Sequence, residues 1–378
     1  MRAKIVRPRW FLFAVGILII SSCAPKTPIQ VGFVANLTGS GASVGVDGRD
    51  GAILAVEEIN SLGGIDGHPI ELIVRDDLGT SQGAIDADQQ LIDEGVSVIV
   101  GHMTSNAMMA AWPVVKDSGV VFVSPTVSTP QLSRLDDNFF RLIPAYGLFT
   151  ERLATYAITD LGIKRIAIFY DIDNAAFSDP FRAGFTKDFI SSGGEVILTY
   201  EFSSSSSPDF RSKLAELNEI NPEGLFAIAS PSDTALIAQQ LRLVNMKVQL
   251  FTTNWALANE LIEKGGTAVD GVIALAAYDE NNTSLEFVEF SKKFQERFKR
   301  TPTFASGYGY EAIMVISEGL RKTNGQEEGL KEALLAVKNF QGINGQISFD
   351  KYGDVARTLY LISVRDGHFV TLENIPVQ

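Results

Sequence analysis

Short apolar, β-branched runs alternate along this chain with longer stretches in which apolar residues recur every three or four positions, a pattern that predicts a parallel sheet covered by helices. The first run, Val-Gly-Phe-Val-Ala at 31–35, leads through a glycine-rich loop to a helix around 50–61. There Ile53, Val56 and Ile59 stand three apart, Glu57 and Glu58 can face water, and Gly63-Gly64 ends the helix. A strand at 70–74 runs into Arg75-Asp76-Asp77, and Thr80 or Ser81 can cap a helix reaching Glu94. Strands at 97–100 and 120–123 continue the series, and a second set follows at 165–170, 195–200, 225–229, 249–252 and 272–276. Between the sets, Arg141-Leu142-Ile143-Pro144 reads as a crossing from one lobe to another. The serine run 203–207 with Pro208 reads as a surface loop before a helix at 210–220, and no repeat of solenoid period is present.

The start of the chain follows a different pattern. Arg2, Lys4, Arg7 and Arg9 precede eleven mostly apolar residues, Trp10 to Ile20, and then Ser21-Ser22-Cys23. Such a stretch makes a helix of about 16 Å, roughly half of what a bilayer core requires, so a cleaved leader fits better than a membrane span. Cys23 is the only cysteine among 378 residues, and Ala24-Pro25-Lys26-Thr27-Pro28 after it is a polar tether. Ile20-Ser21-Ser22-Cys23 resembles the lipobox of bacterial lipoproteins, with Ile and Ser where Leu and Gly or Ala are usual. That resemblance implies that Cys23 is lipidated and becomes the mature N-terminus.

Four positive charges leave with residues 1–22, which takes the net charge from −13 to −17. Such a surface repels phosphate backbones and argues against nucleic acid as a partner. The remaining length exceeds one ordinary core, so two lobes are expected. With one cysteine and three scattered histidines, His68, His102 and His368, neither a disulfide framework, a metal site nor a cofactor is expected.

Several loops carry possible chemistry. Gly39-Ser40-Gly41 with Gly45 follows a strand, but the third glycine comes one residue late for a dinucleotide fingerprint, and Asp76 and Asp77 lie beyond the usual ~20-residue offset. Gly41-Ala42-Ser43-Val44-Gly45 also matches G-x-S-x-G, with His368 available as a base, yet Ser43 follows the strand by eight residues where a nucleophile elbow needs a tight turn. Gly101-His102-Met103-Thr104-Ser105-Asn106 and Ser124-Pro125-Thr126-Val127-Ser128-Thr129 cluster hydroxyls at strand ends, where open α/β sheets bind ligands. A helix opening there can receive a carboxylate, although the same residues serve equally as ordinary caps.

Val31-Gly32-Phe33, Leu37-Thr38-Gly39, Ala55-Val56-Glu57-Glu58-Ile59-Asn60, Gly63-Gly64-Ile65, Asp76-Asp77, Val100-Gly101-His102 and Ser124-Pro125, in this order, resemble the branched-chain amino-acid (Leu/Ile/Val) binding proteins of ABC importers. The match continues through Arg165-Ile166-Ala167, Gly271-Val272, Tyr308, Ala312 and Phe349-Asp350. It implies the type I periplasmic binding fold, α/β with two doubly wound, Rossmann-like lobes joined by three crossover segments. A ligand would be held between the lobes, and closure would present the protein to permease subunits. By position, Ser105 would bind a ligand carboxylate, with Thr126 and Ser128 adding contacts. Phe177 stands where tyrosine is usual, Val44 where some relatives place an aromatic residue, and Ser230 where a second tyrosine is common. The largest departure is Asn254, where amino-acid binders of the family have a glutamate for the α-ammonium group. Either Asp279 substitutes or the ligand lacks an amine; Trp255 beside Asn254 suggests an apolar ligand or simply packs beneath a hinge.

The expected organisation is a leader at 1–22, a tether at 23–28, one lobe from 29–143 plus 278–346 and another from 144–277 plus 347–378. The expected function is capture of an amino acid or related small carboxylate or amide by a lipid-anchored, monomeric, extracytoplasmic binding protein of an ABC importer, without catalysis. A sensing receptor of the same fold is the alternative, and a serine hydrolase using Ser43 and His368 a remote one.

Overall fold

The structure, a computed structural model, describes residues 26–39 and 41–376. Cys23 and the leader lie outside the described residues. The first half of the chain builds β1 (Ile29–Ala35), α1 (Ala42–Ser61), β2 (Ile70–Asp76), α2 (Ser81–Asp93), β3 (Val98–Val100), α3 (Ser105–Val115), β4 (Val121–Ser124) and β5 (Phe139–Arg141). The strands form one parallel sheet in the order β2-β1-β3-β4-β5.

The chain then forms α4 (Gly147–Thr159), β6 (Arg165–Asp171), α5 (Ala175–Ser191), β7 (Glu195–Phe202), α6 (Arg211–Glu219), β8 (Gly224–Ile228), α7 (Pro231–Leu243), β9 (Gln249–Thr252), α8 (Asn259–Gly265) and β10 (Ile273–Ala276). Next come α9 (Leu285–Phe298), α10 (Phe304–Lys322), α11 (Leu330–Leu335), the small hairpin β11 (Phe340–Gly342) and β12 (Gly345–Ile347), then β13 (Leu359–Arg365) and β14 (His368–Ile375). The second sheet runs β14-β13-β10-β9-β8-β6-β7. Its β6 to β10 are parallel, whereas β13 joins β10 antiparallel and pairs with β14 as a hairpin.

Alternation along β1 explains the layering. Val31, Phe33 and Ala35 share a core with Leu54, Ile59, Ile313 and Ile316 of α1 and α10, while Val34 packs with Ala87, Leu91, Met108 and Phe122 on the other side. Each fully buried Phe or Ile of this kind contributes about 1.5–3 kcal/mol. Because α9 and α10 pack against α1, the chain returns to the first sheet after β10, and it comes back to the second sheet at β13. Arg141, buried at the end of β5, fixes this last return. It forms an ion pair with Asp354 at 2.8 Å and donates to the Thr129 carbonyl, and its backbone N–H donates to the Gly353 carbonyl.

Thr80, not Ser81, caps α2, its hydroxyl accepting from the Gly83 N–H at 3.0 Å. α1 begins at Ala42, well before the start that apolar periodicity predicts. Its first turns carry Val44, Gly45, Asp47 and Gly48, all buried, and glycines here serve close approach: a Cβ on Gly45 would overlap the Asn36 carbonyl. Gly41 does turn the chain, with φ 79° just before the helix. The serine run forms a short 3-10 turn at Ser204–Ser206 that is bonded into the structure rather than being only a loop.

Candidate functional site

Both sheets place β-strand carboxyl ends against each other. In the first, the order changes direction between β1 and β3, which leaves a crevice where residues 36–41 and 101–106 diverge. In the second, the equivalent point lies between β6 and β8, at Asp171–Asn174 and Ala229–Ser230. Sequence-local chemistry then shapes each loop. Thr104 caps α3 by accepting from the Ala107 N–H, so Ser105 opens the helix, and Asn254–Ala256 form a 3-10 turn directly after β9.

A cavity lies between these loops, lined by Val44, Met103, Thr104, Ser105, Thr126 and Phe304 from one side and Asn174, Phe177, Asn254 and Trp255 from the other. None of the ten side chains is charged. Phe177 and Trp255 meet edge to face with ring centroids 5.7 Å apart, giving an apolar wall. Opposite them the Ser105 hydroxyl is buried and has no hydrogen-bond partner, at the N-terminus of α3. A buried hydroxyl left unmatched costs about 1–3 kcal/mol, and a helix N-terminus favours negative charge, so this end of the cavity suits an anion or a strong acceptor. Thr126 is held in place by donating to the Met103 carbonyl at 2.8 Å.

Val44, Ser105, Thr126, Phe177, Asn254 and Trp255 therefore line one cavity, but three other residues named from the resemblance do not join them. Ser128 is buried with an unmatched hydroxyl yet does not line the cavity. Ser230 caps α7, bonded both ways to Asp233, and faces the mouth instead. Asp279 is turned elsewhere: its carboxylate accepts from the Thr371 hydroxyl and the Asn281 N–H, so it does not replace the missing glutamate in this cavity. Ser43 sits in the first turn of α1 and donates to Glu260 at 2.5 Å, while His368 is exposed where it opens β14; neither is the other's hydrogen-bond partner. Among the described residues no group of three His, Cys, Asp or Glu could hold a metal.

Met103, Asn174 and Phe304 were not legible as lining residues. Asn174 carried a signal in principle, since Asn after a strand end is a common loop anchor. Phe304 lies about 200 residues from Ser105 in sequence and reaches the cavity only because α10 packs on α1.

Outside the cavity a wider groove of about 1150 Å³ opens between the strand ends, reaching Asn36, Leu78, Asp173, Ser204 and Pro231. Its acidic rim is held by hydroxyls: Ser204 Oγ lies 2.7 Å from Asp171 and 2.5 Å from Asp233 and donates its one proton between them, and Ser203 donates to Asp173. Burial pushes the Asp171 carboxyl above its ordinary range despite those bonds. Three contacts bridge the two sides. The Asn106 N–H donates to Asn174 at 3.0 Å, Asn259 donates to the Thr301 carbonyl at 3.0 Å, and Ser43 donates to Glu260. Burial would raise the Glu260 carboxyl, but hydrogen bonds from Lys264, Ser232 and Ser43 hold it below its usual range, so it is ionised as it grips Ser43.

Two α/β layers with facing strand ends and a cavity between them define a solute-binding architecture. Residues 28–368 match the model of the periplasmic binding protein family, and the chain belongs to that family. It is 26% identical over 359 residues to a Leu/Ile/Val-binding protein homolog of Brucella melitensis biotype 1, covering 93% of this chain and 95% of that one. A leucine-binding protein from Thermotoga maritima superposes with a TM-score of 0.86 at 24% identity, covering 92% of this chain and 99% of the other. An ABC-transporter solute-binding protein from R. palustris in complex with benzoate does so at 0.84 and 22%, covering 92% and 97%.

Proposed function

We propose that this chain is an extracytoplasmic solute-binding lipoprotein of an ABC importer, and that it captures a small carboxylate by closing two lobes on it. The observation that carries the reading is the Ser105 hydroxyl, buried and unmatched at the start of α3 in a cavity without charged side chains. Leucine and benzoate, named for two of the similar proteins, share a carboxylate and little else, which fits an anion-receiving end that is constant and an apolar wall that varies. One lobe comprises 29–143 with 278–346, the other 144–277 with 347–378, and the bridges at Asn106, Ser43 and Asn259 are contacts that closure makes.

A thermal-shift series against small carboxylates and their amides is the test. Ser105→Ala should weaken any carboxylate found by about tenfold or more, the value of one hydrogen bond to a charged group, without lowering the melting temperature of the ligand-free protein. Equal affinity in variant and parent would remove Ser105 from the site.

The anchor rests on Cys23 and its preceding leader; among the described residues no helix is long and apolar enough to cross a membrane. Cells grown with radioactive palmitate should label the parent and leave Cys23→Ser unlabelled. Label retained by the serine variant would place the lipid on another residue.

A further inference from the structure

A second cavity adjoins the first and shares Asn254 and Phe304 with it. Its wall is largely apolar, with Ile143, Leu257, Ile362 and Phe369 among its members, and Glu280 is its one charged residue. Asn254 and Phe304 line both cavities and stand between them; Ser105 lines only the first and Glu280 only the second. The Glu280 carboxyl has no hydrogen-bond or ion-pair partner among the described residues, whereas its neighbour Asp279 accepts at Oδ1 from both Thr371 and Asn281. A second unmatched group sits on the same wall: Tyr278 is 3% exposed and its hydroxyl has no partner. Tyr308 beside it is satisfied, donating to the Ala277 carbonyl at 2.7 Å. A buried phenol without a partner is costly, and Glu280 beside it is half-buried and unpaired, so a ligand entering here can supply the missing partners.

We propose that Glu280 receives the ammonium group of a ligand that passes between Asn254 and Phe304 and leaves its carboxylate at Ser105, so that the preferred solute is an ω-amino carboxylate with an apolar chain. The proposal rests on the carboxylate reading of the cleft and names which acid the cleft takes. An α-amino acid carries both charges on one carbon and cannot satisfy groups that line different cavities. Leu257, Phe304, Ile362 and Phe369 suit the methylene chain, and Asn254, neutral, lets that chain pass where a glutamate would stop an ammonium group short.

Protonation follows from the surroundings. Burial first, then the carboxylates of Asp47 on α1 and Asp279 beside it, push Glu280 up to about 8, and no lysine or arginine offsets them. Asp47 is itself bonded to Arg300 and Thr303, and burial raises Tyr278 and Tyr308 further, so both phenols stay neutral. The ligand-free protein thus holds Glu280 as the neutral acid at pH 7. An arriving ammonium favours the carboxylate, so binding releases a proton, and affinity rises up to tenfold per pH unit below about 8 before levelling.

Isothermal titration of the protein with 5-aminopentanoate, pentanoate and leucine tests this. 5-Aminopentanoate should bind about 10- to 150-fold more tightly than pentanoate. At pH 6.5, comparison of buffers of different ionisation enthalpy should show about one proton released. Glu280→Gln should remove both the preference and the proton, and should leave the melting temperature unchanged or higher, because an unmatched carboxyl is removed. Unchanged affinity in Glu280→Gln, or leucine binding more tightly than 5-aminopentanoate, would overturn the proposal. Loss of 5-aminopentanoate binding in Glu280→Gln but not in Ser105→Ala would uphold Glu280 and refute the carboxylate end; the reverse pattern would refute Glu280 and keep that end.

Discussion

Replacing His102 with alanine is expected to lower the unfolding free energy by about 3–5 kcal/mol, the cost of removing one member of a buried ion group. His102 is fully buried under the loop that carries Ser105. Its Nδ1 lies 2.9 Å from Asp77 and its Nε2 3.2 Å from Asp88, while its ring stacks on Phe122 at 5.8 Å. Burial alone would lower its pKa, but Asp88 and Asp77 overcome that and raise it to about 10. The imidazolium is therefore the folded form, and alanine would leave two buried carboxylates facing each other.

The sign of the pH dependence follows from that raised value. A histidine raised from about 6.5 in the unfolded chain contributes its full stabilisation below pH 6.5 and loses it as pH climbs toward 10. Urea unfolding of the parent should show a midpoint that falls steadily from pH 6.5 to 9.5; in His102→Ala the fall between pH 8 and 9.5 should disappear, while the part below pH 8 that belongs to Glu280 remains. The triple variant His102→Leu, Asp77→Asn, Asp88→Asn should recover much of the loss, since it removes the charges together. A single variant as stable as the parent would show that the group contributes nothing.

Gly51→Ala should destabilise the protein by about 1–3 kcal/mol or more, although alanine favours a helix over glycine by about 1 kcal/mol. The reason is backbone proximity. A Cβ on Gly51 of α1 would overlap the Ser306 carbonyl of α10, and one on Gly309 of α10 would overlap the Gly48 carbonyl of α1. Carbonyls cannot rotate away as a side chain can, so the helices must part. α10 begins at Phe304, which lines both cavities, so the separation should also weaken ligand binding. Gly147→Ala, where nothing lies within 4 Å, serves as the control and should be neutral or slightly stabilising. Matching denaturation midpoints for the Gly51 and Gly147 variants would show that α1 and α10 adjust without cost.

How much was legible depended on whether the signal was local. β9 at Gln249–Thr252 follows from a short apolar run, and the α2 start from a hydroxyl beside a helix, which narrows the cap to Thr80 or Ser81; the structure chooses Thr80. The C-terminal hairpin is not among the strands expected from sequence, and its pairing antiparallel to β10 depends on where the third crossing delivers the chain. A signal for the hairpin itself exists at Asp366-Gly367, both with positive φ, the turn chemistry of a tight β-hairpin. β5 is only three residues long and was read as part of the crossing at Arg141. The first turns of α1 escaped notice because their burial comes from glycine packed on α10, which leaves no apolar period to read.

By itself the sequence determined the alternation of strands and helices, the family resemblance, and the residues whose order in that family marks a cleft, since each depends on neighbours in the chain or on position along it. Tertiary structure alone decided which of those residues meet. It brought Val44, Ser105, Thr126, Phe177, Asn254 and Trp255 to one cavity, sent Asp279 to Thr371, and left Glu280 facing a second cavity without a partner. Adjacent residues such as Asp279 and Glu280 have the same chemistry in sequence. Their different fates follow from the direction in which a crossing segment enters the α10 and β13 layers, and that direction is set by packing over hundreds of residues.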